Sequence, residues 1–222
     1  RIETAHETLA SLARRLSDKR KKAARDFSAR VEQELAGLKM DKTRFDVEFS
    51  VLPAGNAAEP LLTVDGAGVD ETGLDRAAFL IAPNVGEPLK PLAEIASGGE
   101  LSRVVLALKA ILAGRESVGT IVFDEVDAGI GGETAEVVGR KLLDLSAYHQ
   151  VLCITHLPQI AKFGHHHYKI EKEVSQGRTT TRIRALSKKE RIQEIARMTG
   201  GEKITDKTLA HAKEMLESAS HS

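Results

Sequence analysis

The spacing of apolar positions changes along the chain, and each change marks a different kind of element. Residues 1–38 are rich in Ala, Arg, Lys and Glu, with no Pro and no Gly before Gly37. Leu9, Leu12 and Leu16 recur at three-to-four spacing, and Ala23, Phe27, Val31 and Leu35 continue the stripe after a slip in phase. That period predicts one long amphipathic helix, either the returning strand of a coiled coil or a helix packed on its own domain. From Arg44 to Pro83 the period falls to two. Phe45–Val51 alternates, Leu61–Val64 and Ala77–Ile81 are short apolar runs, and the segments between them are turn-rich, which predicts an antiparallel sheet. Asn84–Pro91 reads as a loop.

Beyond that loop the pattern becomes helix, strand, helix, strand. Leu101–Ala113 is apolar-periodic with Gly114 as its stop, Thr120–Phe123 is a buried strand, Glu133–Leu145 a helix, and Val151–Thr155 a second buried strand. Such alternation predicts an α/β sheet whose parallel strands send their carboxyl ends toward a ligand. Tyr168–Glu173 and Thr179–Ala185 read as a hairpin around Gln176-Gly177, followed by helices over Lys188–Met198 and Thr205–Leu216.

Two places in this second half carry chemistry. Ser97-Gly98-Gly99-Glu100 is a glycine turn opening onto a helix, so it offers backbone N–H groups and the positive end of the helix dipole to an anion such as phosphate. A Ser-Gly-Gly turn is also an ordinary helix cap. Ile121-Val122-Phe123-Asp124-Glu125 is a hydrophobic strand ending in two carboxylates, which suits holding Mg²⁺ and orienting a water. Paired acids at a strand end are also common in solvated turns, but this strand is too apolar to sit outside a core.

The resemblance lies in these residues taken together. Ser97–Glu100 resembles the signature motif of ABC-type ATPases, in the form used by their chromosome-structure and DNA-repair branch. Ile121–Glu125 resembles the Walker B strand, Asp127-Ala128-Gly129-Ile130 the D-loop, and Ile154-Thr155-His156 the switch histidine. The longer stretches Ala96–Arg103, Asp124–Gly132 and Cys153–Ile160 are similar to the bacterial SMC-like repair ATPases, and the similarity covers most of the chain. It implies a mixed α/β fold, the C-terminal half of an ATPase head. Residues 1–40 would be the end of a coiled-coil arm, and residues 41–222 the C-terminal lobe.

In such proteins two heads sandwich ATP between them. The resemblance therefore implies that Ser97, Gly98, Gly99 and Glu100 meet a partner's nucleotide and that Asp124 holds Mg²⁺ through water. It implies further that Glu125 orients or deprotonates the attacking water, that His156 senses the γ-phosphate, and that Asp127 couples the two sites at the head–head interface. Thr155 and Leu157-Pro158 would set the position of His156. Arg103 and Lys109 on the signature helix would face either the partner or DNA.

No Gly is followed by Lys, so the G-x-x-x-x-G-K-[ST] phosphate loop is missing from this chain. In SMC-like proteins it lies in an N-terminal segment before the coiled coil. The expectation is a fragment, beginning with Arg rather than Met, that does not hydrolyse ATP alone. Its partners would be the N-terminal Walker A segment of the same protein, a second head in a homodimer, and DNA.

Composition constrains the picture less. A formal net charge of zero gives no bulk attraction to DNA, and the basic run Arg14–Arg25 reads equally as a solvated face. One cysteine, Cys153, rules out an internal disulfide and suits a reducing compartment, so the expected location is the cytoplasm, at the nucleoid. No apolar run approaches membrane-spanning length. The rival readings are another ABC-superfamily ATPase half, with Glu100 standing where transporters carry Gln, and a non-catalytic module for DNA tethering or dimerisation.

Overall fold

A computed structural model describes residues 1–51, 53, 60–95, 97–115, 118–175 and 178–220. Ala96, which opens one of the motif stretches, and the Gln176-Gly177 turn lie outside the described residues. The chain divides into two compact units, residues 1–96 and residues 97–222.

The first unit is built on helix α1 (Ile2–Gly37), 36 residues long. Strand β1 (Arg44–Val51) pairs antiparallel with β4 (Asp75–Ala82), and β4 with the two-residue β5 (Lys90–Pro91), in the order β1-β4-β5. The C-terminal half of α1 covers this sheet through an aromatic trio: Phe27 lies 6.0 Å from Phe45 and 5.9 Å from Phe79, and Phe45 lies 5.6 Å from Phe79. Val31 and Leu35 are fully buried beside it.

Two expectations change in this unit. Leu61–Val64 is no strand of that sheet: residues 60–62 form a 3-10 turn, and β2 (Thr63–Val64) pairs only with β3 (Ala67–Gly68) in a separate ribbon. The cause is the Asp65-Gly66 turn, both residues at positive φ (53° and 78°), which folds the chain back after two residues. The expected stripe also holds only in part: Leu9, Val31 and Leu35 face the interior, but Leu12 and Leu16 do not. Ala10 and Ala13 pack on Val64, Ala67, Val69 and Leu74, while Leu12 and Leu16 are exposed. Small side chains let the helix approach the ribbon, and Arg14 (2.7 Å to Asp65) and Ser17 (3.0 Å to Asp75) tie the two together.

The second unit follows the expected alternation: α2 (Gly98–Leu112), β6 (Thr120–Phe123), α3 (Gly132–Leu145), β7 (Gln150–Cys153) and a short α4 (Pro158–Ala161). Strands β6 and β7 are parallel, with Phe123 opposite Cys153, so both carboxyl ends point the same way. The hairpin β8 (Tyr168–Ser175) and β9 (Arg178–Ala185) follows. Helices α5 (Lys188–Gly200) and α6 (Asp206–Ser220) close on each other through Ile195, Ala196 and Ala212. A capping box starts α5: Ser187 donates its backbone N–H and its hydroxyl to Glu190, holding that carboxyl down at about 2, with Arg184 assisting.

The expectation of two buried strands holds for one face of β6 only, and β7 is at most half-buried. Ile121 and Phe123 are buried, but Val122 is 61% and Leu152 47% exposed on the opposite face, with Ile154 exposed as well. Parallel strands are normally covered on both sides.

Candidate functional site

The site lies where α2 begins and β6 ends. Ser97 takes an extended backbone (φ −95°, ψ 117°) as the N-cap of α2, and its Oγ accepts from Glu100 N at 3.4 Å. That is long for such a bond, so the hydroxyl is only weakly committed to the cap. Acidic Glu100 sits in the first turn, where the dipole favours it. Ser97 and Gly98 are exposed and Gly99 is buried.

The glycines have a reason that the sequence did not display. A Cβ on Gly98 would collide with the Glu125 carboxylate, and one on Gly99 would lie 2.7 Å from Ala128 Cβ and 3.1 Å from the Glu125 carbonyl oxygen. The carboxylate turn of this same chain therefore fills the space that side chains would need. Ser102 Oγ donates to Asp124 O at 2.6 Å, and Arg103 Nη1 donates to Ala128 O at 2.8 Å, fastening the helix to the turn along two further positions. Arg103 is thus turned into its own unit. It is buried, and that burial lowers its pKa.

Replacing Gly99 by Ala should cost about 1–3 kcal/mol, since one obstructing atom is backbone and cannot step aside. Gly131→Ala, in open space with an extended φ of −171°, should change stability little; urea denaturation of both variants checks the contrast.

Asp124 and Glu125 stand just past the end of β6, both exposed. Asp124 Oδ1 accepts from Glu125 N at 3.0 Å. Glu125 adopts φ 57°, a left-handed conformation uncommon outside Gly and Asn, and one that is frequent where a side chain is held for function. Two exposed carboxylates form a hard oxygen donor set. Such a set fits Mg²⁺, which keeps several of its waters and takes one or two carboxylates from the protein. The helix start, with a weakly committed hydroxyl and N–H groups that lack intrahelical partners, fits a phosphate.

Past the end of β7 comes the third part. Asp127 is only 4% exposed, and its Oδ2 accepts from Thr155 Oγ1 at 2.6 Å and from His156 N at 2.9 Å. His156 Nδ1 lies 2.9 Å from the same oxygen, although the side chain is 74% exposed. Thr155 Oγ1 in turn accepts from Leu157 N at 3.0 Å, which sets the bend into α4. The Asp127 carboxylate therefore points into the unit. Cys153, two residues before Thr155, has its thiol pushed up to about 12, mainly by burial and then by the nearby Asp127 and Asp124 charges.

Signature-like helix start, paired carboxylates, D-loop-like turn and switch-like histidine stand in this order on one parallel α/β unit, the order that the resemblance to SMC-like heads implies. The chain is 44% identical to the DNA repair protein RecN of Bacillus subtilis (strain 168) over 219 residues, 98% of this chain and 38% of that protein. It is 52% identical to RecN of Xylella fastidiosa (strain 9a5c) over 145 residues, 65% of this chain and 26% of that protein. The chain is similar to RecN proteins along nearly its whole length in the first of these matches, and it spans 38% and 26% of the length of the two relatives. None of the protein-family models matches it. Among solved structures, the Smc head domain with a coiled coil and joint from Pyrococcus yayanosii gives a TM-score of 0.46 at 18% identity. The match covers 91% of this chain and 30% of that one, and a score this low leaves the fold to be read from the chain's own elements. Among the described residues no helix is long and apolar enough to cross a membrane.

Proposed function

We propose that this chain is the C-terminal part of an ATP-driven head that works on DNA double-strand breaks, in the cytoplasm at the nucleoid. The observation that carries the reading is the packing of the signature-like helix start directly on the Asp124–Glu125 turn, with Asp127 binding that turn to His156. Residues meant for two different nucleotides thereby share one rigid frame, as a head that closes on a second head requires.

In this reading Ser97 Oγ and the amides of Gly98 and Gly99 bind the γ-phosphate of the nucleotide held by the partner head, with Glu100 in the same turn. Asp124 holds Mg²⁺ through water, and the ion supplies charge neutralisation at the phosphates. Glu125 orients the attacking water and takes its proton at the carboxylate. His156 contacts the γ-phosphate. Asp127, though its carboxylate faces inward, lies in the D-loop segment that meets the second head.

The phosphate loop is supplied by the N-terminal Walker A segment of the same protein. The open face of β6 and β7, with Val122, Leu152 and Ile154, gives that segment an apolar surface to cover. Helix α1 is the end of the coiled-coil arm, and its outward Leu12 and Leu16 face the other arm strand. DNA is the proposed partner because the relatives are DNA repair proteins.

The test is complementation. The chain and the Walker A segment, each inactive alone, should turn over ATP when combined. A folded complex without turnover would set this reading aside in favour of an interaction module.

A further inference from the structure

Asp127 joins the D-loop-like turn to the switch-like bend, 28 positions apart in sequence, by side-chain chemistry. Its Oδ2 accepts from the Thr155 hydroxyl at 2.6 Å and from the His156 backbone N–H at 2.9 Å, and the ring nitrogen Nδ1 of His156 lies 2.9 Å from the same oxygen. The backbone bond places the Cα of His156, the Thr155 bond holds the bend that carries it, and the ring is turned so that Nδ1 lies beside an oxygen that can only accept. Which imidazole nitrogen carries the proton is set by the hydrogen bond the other makes, and a carboxylate can only accept.

We propose that Asp127 is a positioning residue that holds His156 as the Nδ1–H tautomer, so that Nε2 is the nitrogen offered to the ligand. The functional meaning rests on the reading of His156 as the γ-phosphate contact. A neutral ring held this way offers Nε2 as an acceptor, suited to a water hydrogen. When the ring takes a second proton, Nε2 becomes the donor a phosphate oxygen needs and Asp127 is the counter-charge behind it, the arrangement by which buried carboxylates orient catalytic and metal-bound histidines.

The same carboxylate makes His156 sensitive to the turn. Ala128, the next residue, fills the space at Gly99, and its carbonyl accepts from Arg103. Its amide donates back to Glu125 O at 3.0 Å. A displacement of the signature helix therefore moves the turn, and with it the group that aims the ring.

The tautomer is directly measurable in this chain without nucleotide. Histidine-selective ¹⁵N labelling and long-range ¹H–¹⁵N correlation at alkaline pH report each ring nitrogen, and His156→Gln assigns the signals. The wild type should show Nδ1 protonated and Nε2 bare. Asp127→Asn keeps an acceptor oxygen in place and should retain that tautomer, whereas Asp127→Ala should release the ring to the Nε2–H form with the backbone spectrum otherwise kept. An Nε2–H tautomer in the wild type would overturn the proposal, as would an unchanged tautomer in Asp127→Ala. Should Asp127→Ala not fold, the wild-type spectrum decides by itself. Failure of this test removes the positioning role of Asp127 and leaves the ATP-site reading to the turnover of the completed head.

Discussion

Glu125→Gln should lower ATP turnover of the head completed with its Walker A segment by ~10²–10⁴-fold, the usual worth of a positioned general base. Nucleotide binding should survive. The substitution keeps the size and shape of the side chain that packs against Gly98 and leaves the Asp124 carboxylate in place. Turnover should be lost in the chemical step, so a burst or single-turnover experiment should show ATP bound and unreacted. Equal turnover in variant and wild type would remove Glu125 from the mechanism. The same residue gives the experiment an internal check on structure. Glu125 sits at positive φ whatever its side chain, and its carbonyl accepts from Ala128 N, so Gln should preserve the turn. An unfolded variant would contradict that geometry.

The parts of this site were legible in the sequence to different degrees, and the differences have physical causes. Periodicity located α1, α2, α3 and the strands on either side of α3, because a helix face or a strand face repeats along the chain and needs no knowledge of its partner. The places of Leu12 and Leu16 on the open side of α1 did not follow, because Ala10 and Ala13 bury a face with side chains too small to stand out beside leucines. The β2–β3 ribbon was missed although its Asp-Gly turn is a known hairpin signal, since two-residue strands leave no alternation to read. At the site, residue types and order marked Ser97, Asp124, Glu125 and His156. What joins them was invisible. Arg103 reads as a surface cation until the Ala128 carbonyl is seen to hold it inside. Gly98 and Gly99 read as room for a ligand, whereas they also make room for Glu125 and Ala128. Contacts of this kind depend on where β6 brings the chain back to the start of α2, and no local pattern encodes that distance.

The largest stability effect should come from Phe123→Ala, about 3–5 kcal/mol. Phe123 is the last residue of β6, opposite Cys153, and is 2% exposed. It is the apolar anchor directly before two exposed carboxylates, so it holds down a strand end that charge would otherwise draw toward water. Truncation removes most of a ring from a packed interior and leaves a space that parallel strands fixed in register cannot readily close. The loss should exceed that of Val122→Ala, one position earlier on the open face. Val122→Ala should fall within about 0.5–1 kcal/mol, because little of its surface leaves water in this chain. Chemical denaturation of the two variants compares the faces directly. The order should narrow or reverse for Val122 once the Walker A segment is bound, if that segment covers the exposed side of the sheet. An equal cost at both positions in the chain alone would mean that β6 is enclosed on both faces, leaving no open apolar surface for the Walker A segment to cover.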